Sequence, residues 1–474
     1  MPERKIDFPV DSVPADPSAA RLVGLYPQKQ EGFYMQRVQV PGGRIGTAQW
    51  RGLAEIARDL TPGYPLHVTT RQDVELHGVG GPDVPRVQQR LREAGLTGVS
   101  ACGDSLRNVT SCPGAGLLPG TVDTAPIGAT LKREAEKLPW IRSMPRKFKI
   151  SISGCADACA MPWINDLGLV PDDGGTFRAI VAGSLGARPG TGVCLYEGLR
   201  PEELVPLLVG ALRLFNEHGD RNNRRRARLR HVRERWGDDR FAAELDATFL
   251  QEKRRGDHPG PPVEVFDGDR PETARLQLTR GDISPGQALQ LASVLEDSGG
   301  TLRLGLEHDL QVFADERPSL PPRLERLAEA ARVVACPGTT WCPRGIADSR
   351  RAEERIREAL PGGCLLSIGI SGCPNNCAHA AVADIGLIGR GIAAEGGTEE
   401  GFRLFVGGGG RRSPALGEQL HAGLPASAVG RVVSRLAREY DRQALCGQSF
   451  GAFVRKHPAE LTDAVEDELA FQAS

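Results

Sequence analysis

At 474 residues the chain exceeds what a single hydrophobic core organises, so two to four domains are expected. A composition of 40% hydrophobic and 25% charged residues is that of a soluble globular protein, and a net charge of −1 excludes the overall basic field of a nucleic-acid or anionic-membrane binder. Apolar stretches such as LVPLLVGALRLF fall short of the roughly 20 residues that span a bilayer. The charged, Pro-rich start MPERKIDFPVDSVPADPSAA lacks a signal core, so a cytoplasmic protein without nucleic-acid or membrane partners is expected.

Strand and helix patterns then alternate along the chain. RVQVPGG (37–43) and PLHVTTRQDVELHGV (65–79) each read as a strand. The amphipathic helix AQWRGLAEIARDL (48–60) lies between them, and VPRVQQRLREAG (84–95) follows. KFKISISG (147–154) and FRAIVAG (177–183) are further strands, and PEELVPLLVGALRLFNEHG (201–219) is a long helix. The Arg-rich segment beginning RNNRRRAR (221–228) reads as a solvated or cofactor-flanking helix. GDHPGPP (256–262) is a linker and puts a division near Pro262.

Beyond that linker the chain repeats itself. SGCADACAMPWINDLGLV (153–170) returns as SGCPNNCAHAAVADIGLIG (371–389), with Cys155, Cys159, Asp166 and Gly168 falling on Cys373, Cys377, Asp384 and Gly386. SCPG (111–114) returns as ACPG (335–338), FRAIVAG as FRLFVGG (402–408), and GRIGTAQWRGLAEIA as GDISPGQALQLASVL. Four matches in one order make an internal duplication, and two copies make a pseudo-twofold pair rather than a solenoid.

The eleven cysteines are an odd number without an export signal, which argues for metal, cluster or catalytic thiols over disulfides. Cys194, Cys364 and Cys446 stand apart and read as buried structural thiols. Cys336 and Cys342, five residues between them, and Cys373 and Cys377, three between, form two close pairs. Four thiolates hold either zinc or an iron–sulfur cluster, and the five-residue gap is wider than zinc sites usually use. In the first copy Leu118 takes the place of a partner to Cys342, leaving Cys112, Cys155 and Cys159 as an incomplete cluster site in which Cys155 and Cys159 read as structural relics. That copy instead carries Lys147 and Lys149 on one strand face, where the second has Leu365 and Ser367, with Arg107 and Arg37 nearby in sequence. Positive groups converging on a cleft bind a small anion and favour negative charge developed during reaction.

With these residues in view, the chain resembles the siroheme-dependent sulfite and nitrite reductases, most closely the single-chain assimilatory, ferredoxin-linked type. The resemblance runs from about Gly24 to His457 and rests on RVQVPGG, HVTTRQDVELHG, CGDSLRNVTSCP, PRKFKISISGC, FNEHGDRNNRRRARL, CPGTTWC and SGCPNNC. It implies an α/β (α+β), internally duplicated fold of mixed sheets with helices and with cofactors at the interface of the halves. The expected divisions are 1–85 (ferredoxin-like half-domain), 86–262 (anion-binding domain with a long helical linker), 263–330 (second half-domain, pairing with 24–85) and 331–474 (cluster and siroheme domain).

By that resemblance Cys336, Cys342, Cys373 and Cys377 hold a [4Fe–4S] cluster, and Cys377 is shared with the siroheme iron. Arg37, Arg107, Lys147 and Lys149 match the anion-binding positions, and Arg71 matches a residue that pairs with siroheme carboxylates. Thr69, Thr70, Gln72, Asn108 and an arginine of RNNRRRAR are further expected contacts, and Asn375 and Asn376 donors to sulfur. The implied reaction is the six-electron reduction of sulfite to sulfide or nitrite to ammonia in a monomer. No nucleotide or flavin motif is present, VGGGGRR lacking the dinucleotide spacing, so reduced ferredoxin or a similar one-electron donor is the implied partner. Cys102 is either a plain buried thiol or a redox-active one able to cross-link to Tyr26. His77 and His379 read as packing or supporting residues. A precorrin-3B synthase-like enzyme would not need the four cations, and a non-catalytic iron–sulfur or zinc protein would not explain two lysines on one strand face.

Overall fold

The computed structural model describes residues 6–473 apart from 173, 329–330, 395–396 and 411–412. The first copy supplies strands β1 (Leu25–Pro27), β2 (Phe33–Val38), β3 (Arg44–Ile45), β4 (Leu66–Val68) and β5 (Val74–Gly80). It continues with β6 (Leu106–Ser111), β7 (Thr121–Val122), β8 (Phe148–Ile152), β9 (Leu167–Pro171), β10 (Phe177–Val181) and β11 (Val193–Leu199). The second copy supplies β12 (Val265–Phe266), β13 (Glu272–Gln277), β14 (Asp282–Ile283), β15 (Thr301–Leu304) and β16 (Asp309–Ala314). Its last sheet is β17 (Val333–Ala335), β18 (Ile368–Ser371), β19 (Ile385–Ala394), β20 (Gly397–Val406) and β21 (Glu418–Pro425).

Two small sheets, β1-β2-β5-β4-β14 and β13-β16-β15-β3, exchange their edges. β14 of the second copy pairs with β4 of the first, and β3 of the first pairs with β15 of the second. Helices Thr47–Leu60 and Pro285–Ser298 are the corresponding elements of the two copies. Trp50 and Leu53 of one and Leu291 and Leu295 of the other lie in a single core with both sheets, and Trp50 Nε1 donates to Ala288 O at 2.9 Å. The second helix starts with a capping box, Gln287 N donating to Ser284 Oγ and Ser284 N to Gln287 Oε1, both at 3.2 Å.

Each copy also has a five-stranded sheet of its own, β11-β10-β9-β8-β6 and β17-β18-β19-β20-β21. In both, three parallel strands are followed by two antiparallel ones, and Ile150 faces Leu167 as Ile368 faces Ile385. The duplication is therefore structural, and the internally duplicated mixed α/β fold is present.

Three expectations are corrected. PLHVTTRQDVELHGV is not one strand but the hairpin β4–β5: Thr69 Oγ1 accepts the amides of Arg71 and Asp73, and Gln72 turns through φ 58°. The arginine run is exposed loop through Arg226, and helix begins only at Leu229. Cys364 is buried, but Cys194 on the edge strand β11 and Cys446, in the turn after helix Val429–Gln443, are exposed.

Candidate active site

The turn Gly372–Cys377 leaves the C-terminal end of β18, the side on which parallel sheets present ligand loops. Its path is set locally. Asn376 adopts φ 59°, its N–H donates to Cys373 O at 3.3 Å, and Ser371 Oγ accepts the Ala378 N–H at 3.1 Å. Gly372 permits close packing, since a Cβ there would lie 2.6 Å from Ala347 O. Its N–H donates to Cys336 Sγ at 3.1 Å, while backbone N–H groups of Arg344 and Gly345 serve Cys342 and Asn375 serves Cys373. Asn376 Oδ1 accepts the Ala381 N–H at 3.2 Å and its Nδ2 is buried without a partner; Asn375 is exposed.

Cys336, Cys342, Cys373 and Cys377 gather here and act on one another electrostatically. Burial, reinforced by Cys377, pushes the Cys336 thiol up to about 12 and that of Cys373 to about 11. Thiols held that high keep their protons near neutrality and yield them to a cation. Amides aimed at sulfur suit the charged sulfurs of a cluster.

The first copy reaches this turn through the β4–β5 hairpin, where Thr70 Oγ1 donates to Cys377 O at 2.9 Å. The hairpin tip is held by residues expected to touch a cofactor. Gln72 donates to Ser111 O (2.9 Å) and Leu304 O (2.7 Å) and accepts from Ser111 N (2.8 Å); Asn108 Nδ2 donates to Val40 O (2.9 Å) and Arg71 O (3.0 Å). Both are buried, and these bonds hold the hairpin tip. Arg71 donates to Asn165 Oδ1 at 3.0 Å and Asn108 O at 2.6 Å, with Nε buried and unpartnered. A small cavity of about 10 Å³, room for a single water, lies between the copies, lined by Thr70, Arg71, Thr110, Lys149, Asn165, Leu306 and His379.

The cations close the other side. Phe148 and Ile150 enter the core of the β6–β11 sheet, which turns Lys147 and Lys149 to its opposite face. Neither ammonium has a hydrogen bond or carboxylate partner among the described residues. Burial, then Arg228, Arg146 and Arg107, lower Lys147 to about 7, with Cys377 near enough to oppose the shift. Burial and the charges of Arg71, Lys147, Arg228 and Arg107 hold Lys149 well below the usual lysine range. Arg107 is buried, its Nε is unpartnered, and burial lowers it too. Arg37 differs: Glu75 accepts from its Nε at 3.0 Å and NH2 at 2.5 Å, and Glu75 also meets His77 at 3.0 Å. Its charge is largely answered within the protein. Cys102 is fully buried beside Arg37 and Arg107, its thiol pushed up by burial, and Tyr26 acts on the same Arg107.

Of the RNNRRRAR run expected to supply a contact, Arg228 is the arginine at the site, and Asp166, a mark of the duplication, is the site residue that sequence reading missed. Arg228, the last arginine of its run, is buried and grips Asp166 through Nε (3.2 Å) and NH2 (2.6 Å), adding charge behind the lysines. Asp166 also accepts the Lys149 N–H at 2.8 Å, as Asp384 accepts that of Ser367 at 2.9 Å, and this shared aspartate was the available signal. Beside Arg228, burial and then Arg230, Arg228, Arg226 and Arg188 push His231 down to about 4. The unfolded chain protonates it near 6.5, so folding stability is complete above that pH and falls as pH drops through about 4. Denaturation midpoints should decline across this window, by at most about 3 kcal/mol from this residue. His231→Gln should flatten the decline; an unchanged slope would place its origin elsewhere.

The first copy retains a vestige of the thiol turn. Gly154 N donates to Cys112 Sγ at 3.4 Å, matching the bond from Gly372 to Cys336, and Cys155 and Cys159 are neighbours. Cys112, however, packs into an apolar cluster with Ala115, Ala158, Met161, Trp163 and Val382.

Unanswered cations facing four thiols across a seam are what a paired redox and anion centre requires. The chain matches the model of the nitrite and sulphite reductase 4Fe-4S domain over residues 102–253 and 328–456, and that of the nitrite/sulfite reductase ferredoxin-like half domain over 26–94. It belongs to the nitrite and sulfite reductase family, oxidoreductases that bind siroheme and a [4Fe–4S] cluster. It is 29% identical to the assimilatory ferredoxin-dependent nitrite reductase of Haloferax mediterranei, over 94% of this chain and 85% of that protein. It is 25% identical to sulfite reductase [ferredoxin] 2 of Mycolicibacterium paratuberculosis, over 92% and 87%. The solved Mycobacterium tuberculosis NirA protein shares the fold with a TM-score of 0.76 at 23% identity, covering 94% of this chain and 90% of that one. No helix among the described residues is long and apolar enough to cross a membrane.

Proposed function

We propose that this protein reduces sulfite to sulfide by six electrons, accepts nitrite as a second substrate, and draws electrons singly from reduced ferredoxin. The observation that carries this reading is the electrostatic reach of Lys147 to Cys377: a buried cation without an acid partner feels the charge of a cysteine of the thiol turn. Cys336, Cys342, Cys373 and Cys377 would hold the cluster, with Cys377 shared with the siroheme iron. Arg71 and Thr70 would meet the macrocycle's carboxylates. The buried, unpartnered nitrogens of Arg71, Arg107 and Asn376 are donors that an anionic group at this seam would satisfy.

When bound, siroheme and the cluster supply electrons to a coordinated oxyanion. The chain's own part is charge and protons. Arg107 and Lys147 draw the anion in and stabilise charge on its oxygens. Lys147, lowered toward neutrality, is poised to give up a proton as an oxygen departs, and Lys149 to relay one. A dianion gains more from this set than a monoanion, which favours sulfite. Steady-state rates with reduced ferredoxin on both anions test the reading: kcat/KM should be higher for sulfite. A protein carrying both cofactors but inert toward both anions would refute it.

A further inference from the structure

We infer that the chain carries a second oxyanion site, in the groove where β3 of the first copy pairs with β15 of the second, and that its ligand is a free tetrahedral dianion such as phosphate or sulfate. The register sets Arg44 directly opposite Arg303. Like charges facing each other across an antiparallel pair repel. Leu302 and Leu304 occupy the core, so alternation keeps Arg303 on the other face of the strand, beside Arg44.

Arg44 is answered: its guanidinium pairs with Asp123 and donates to Ala115 O at 3.0 Å. Arg303 is not. It is 8% exposed, its NH1 donates to Leu302 O at 3.1 Å, its Nε is buried without a partner, and it has no carboxylate partner among the described residues. Burial and then Arg44 lower it to about 10, with the charge of Asp123, itself engaged by Arg44, opposing the shift, so it remains charged.

Both arginines line a cavity of about 290 Å³ together with Gly46, Thr47, Gly300 and Thr301. That is near the low end for small-molecule sites. Gly46 and Thr47 open the helix Thr47–Leu60, whose cap is a glycine without a capping side chain, so first-turn amides and the positive helix end add to the groove. The equivalent seam of the other sheet has no such excess. There Asp282 stands opposite His67, and Arg350 closes the set at 2.6 Å from Asp282.

The site is independent of the proposed reaction, and its test reads binding rather than turnover. Phosphate would also enter the lysine pocket, so holoenzyme bearing Lys147→Met is titrated calorimetrically with inorganic phosphate at fixed ionic strength. It is compared with Lys147→Met/Arg303→Gln. The first should bind phosphate, and the second should bind it about ten- to a hundredfold more weakly. Equal affinities, or no binding by the first, would overturn the site. A wild-type crystal soaked in selenate gives an answer that needs no variant. An anomalous selenium peak within hydrogen-bonding distance of Arg303 supports the site, and a groove without one refutes it.

Discussion

Replacing Lys147 by Met is expected to cut turnover by about 10²–10³ while leaving the visible spectrum and iron content of the holoenzyme unchanged. Met keeps most of the side chain's length and removes only the charge. The lysine lies just before β8, its ammonium has no acid partner to strand, and its removal relieves repulsion with Arg228, Arg146 and Arg107. Stability should therefore hold or rise slightly. This separates the lysine from Arg37, whose loss would leave buried Glu75 with only His77 beside it. The cost should fall on kcat with sulfite as well as on KM, because charge on the departing oxygen develops in the transition state. Turnover within a few-fold of wild type would mean that the anion sits elsewhere.

The parts of the site legible in the sequence are those whose chemistry dictates residue identity at fixed spacing. The thiol turn, its vestige in the first copy and the lysine pair could all be found because no other residue type does their work. Parts that depend on pairing between distant segments could not. Arg37 faces Glu75 only because β2 and β5 adopt one register, and nothing local to either strand reveals it. β3 and β14 are two residues long, too short for any periodicity, yet they join the halves. Gln72 and Asn108 look like ligand contacts by their place in the motifs, but their amides are consumed by the backbone around the hairpin tip. Cys194 and Cys446 were misjudged because thiol burial follows tertiary position, which an isolated cysteine does not signal.

Alanine in place of Cys373 should strip the cluster iron and abolish turnover, whereas alanine in place of its counterpart Cys155 should leave both intact. The two residues occupy the same place in matched turns, and each turn leaves the end of a corresponding strand, β18 or β8. What differs is the surroundings. Around Cys373 the amides of Asn375, Gly372, Arg344 and Gly345 face sulfurs, and a fourth thiol, Cys342, completes the set. Around Cys155 the fourth position is Leu118, and Cys112 is packed among apolar side chains. Cys155 is half-buried, so its truncation should cost at most about 1 kcal/mol, whereas loss of a cluster ligand forfeits binding energy that is also folding energy. Iron and acid-labile sulfide assays on the two purified variants decide the matter. Iron lost from Cys155→Ala and kept in Cys373→Ala would reverse the assignment of the copies.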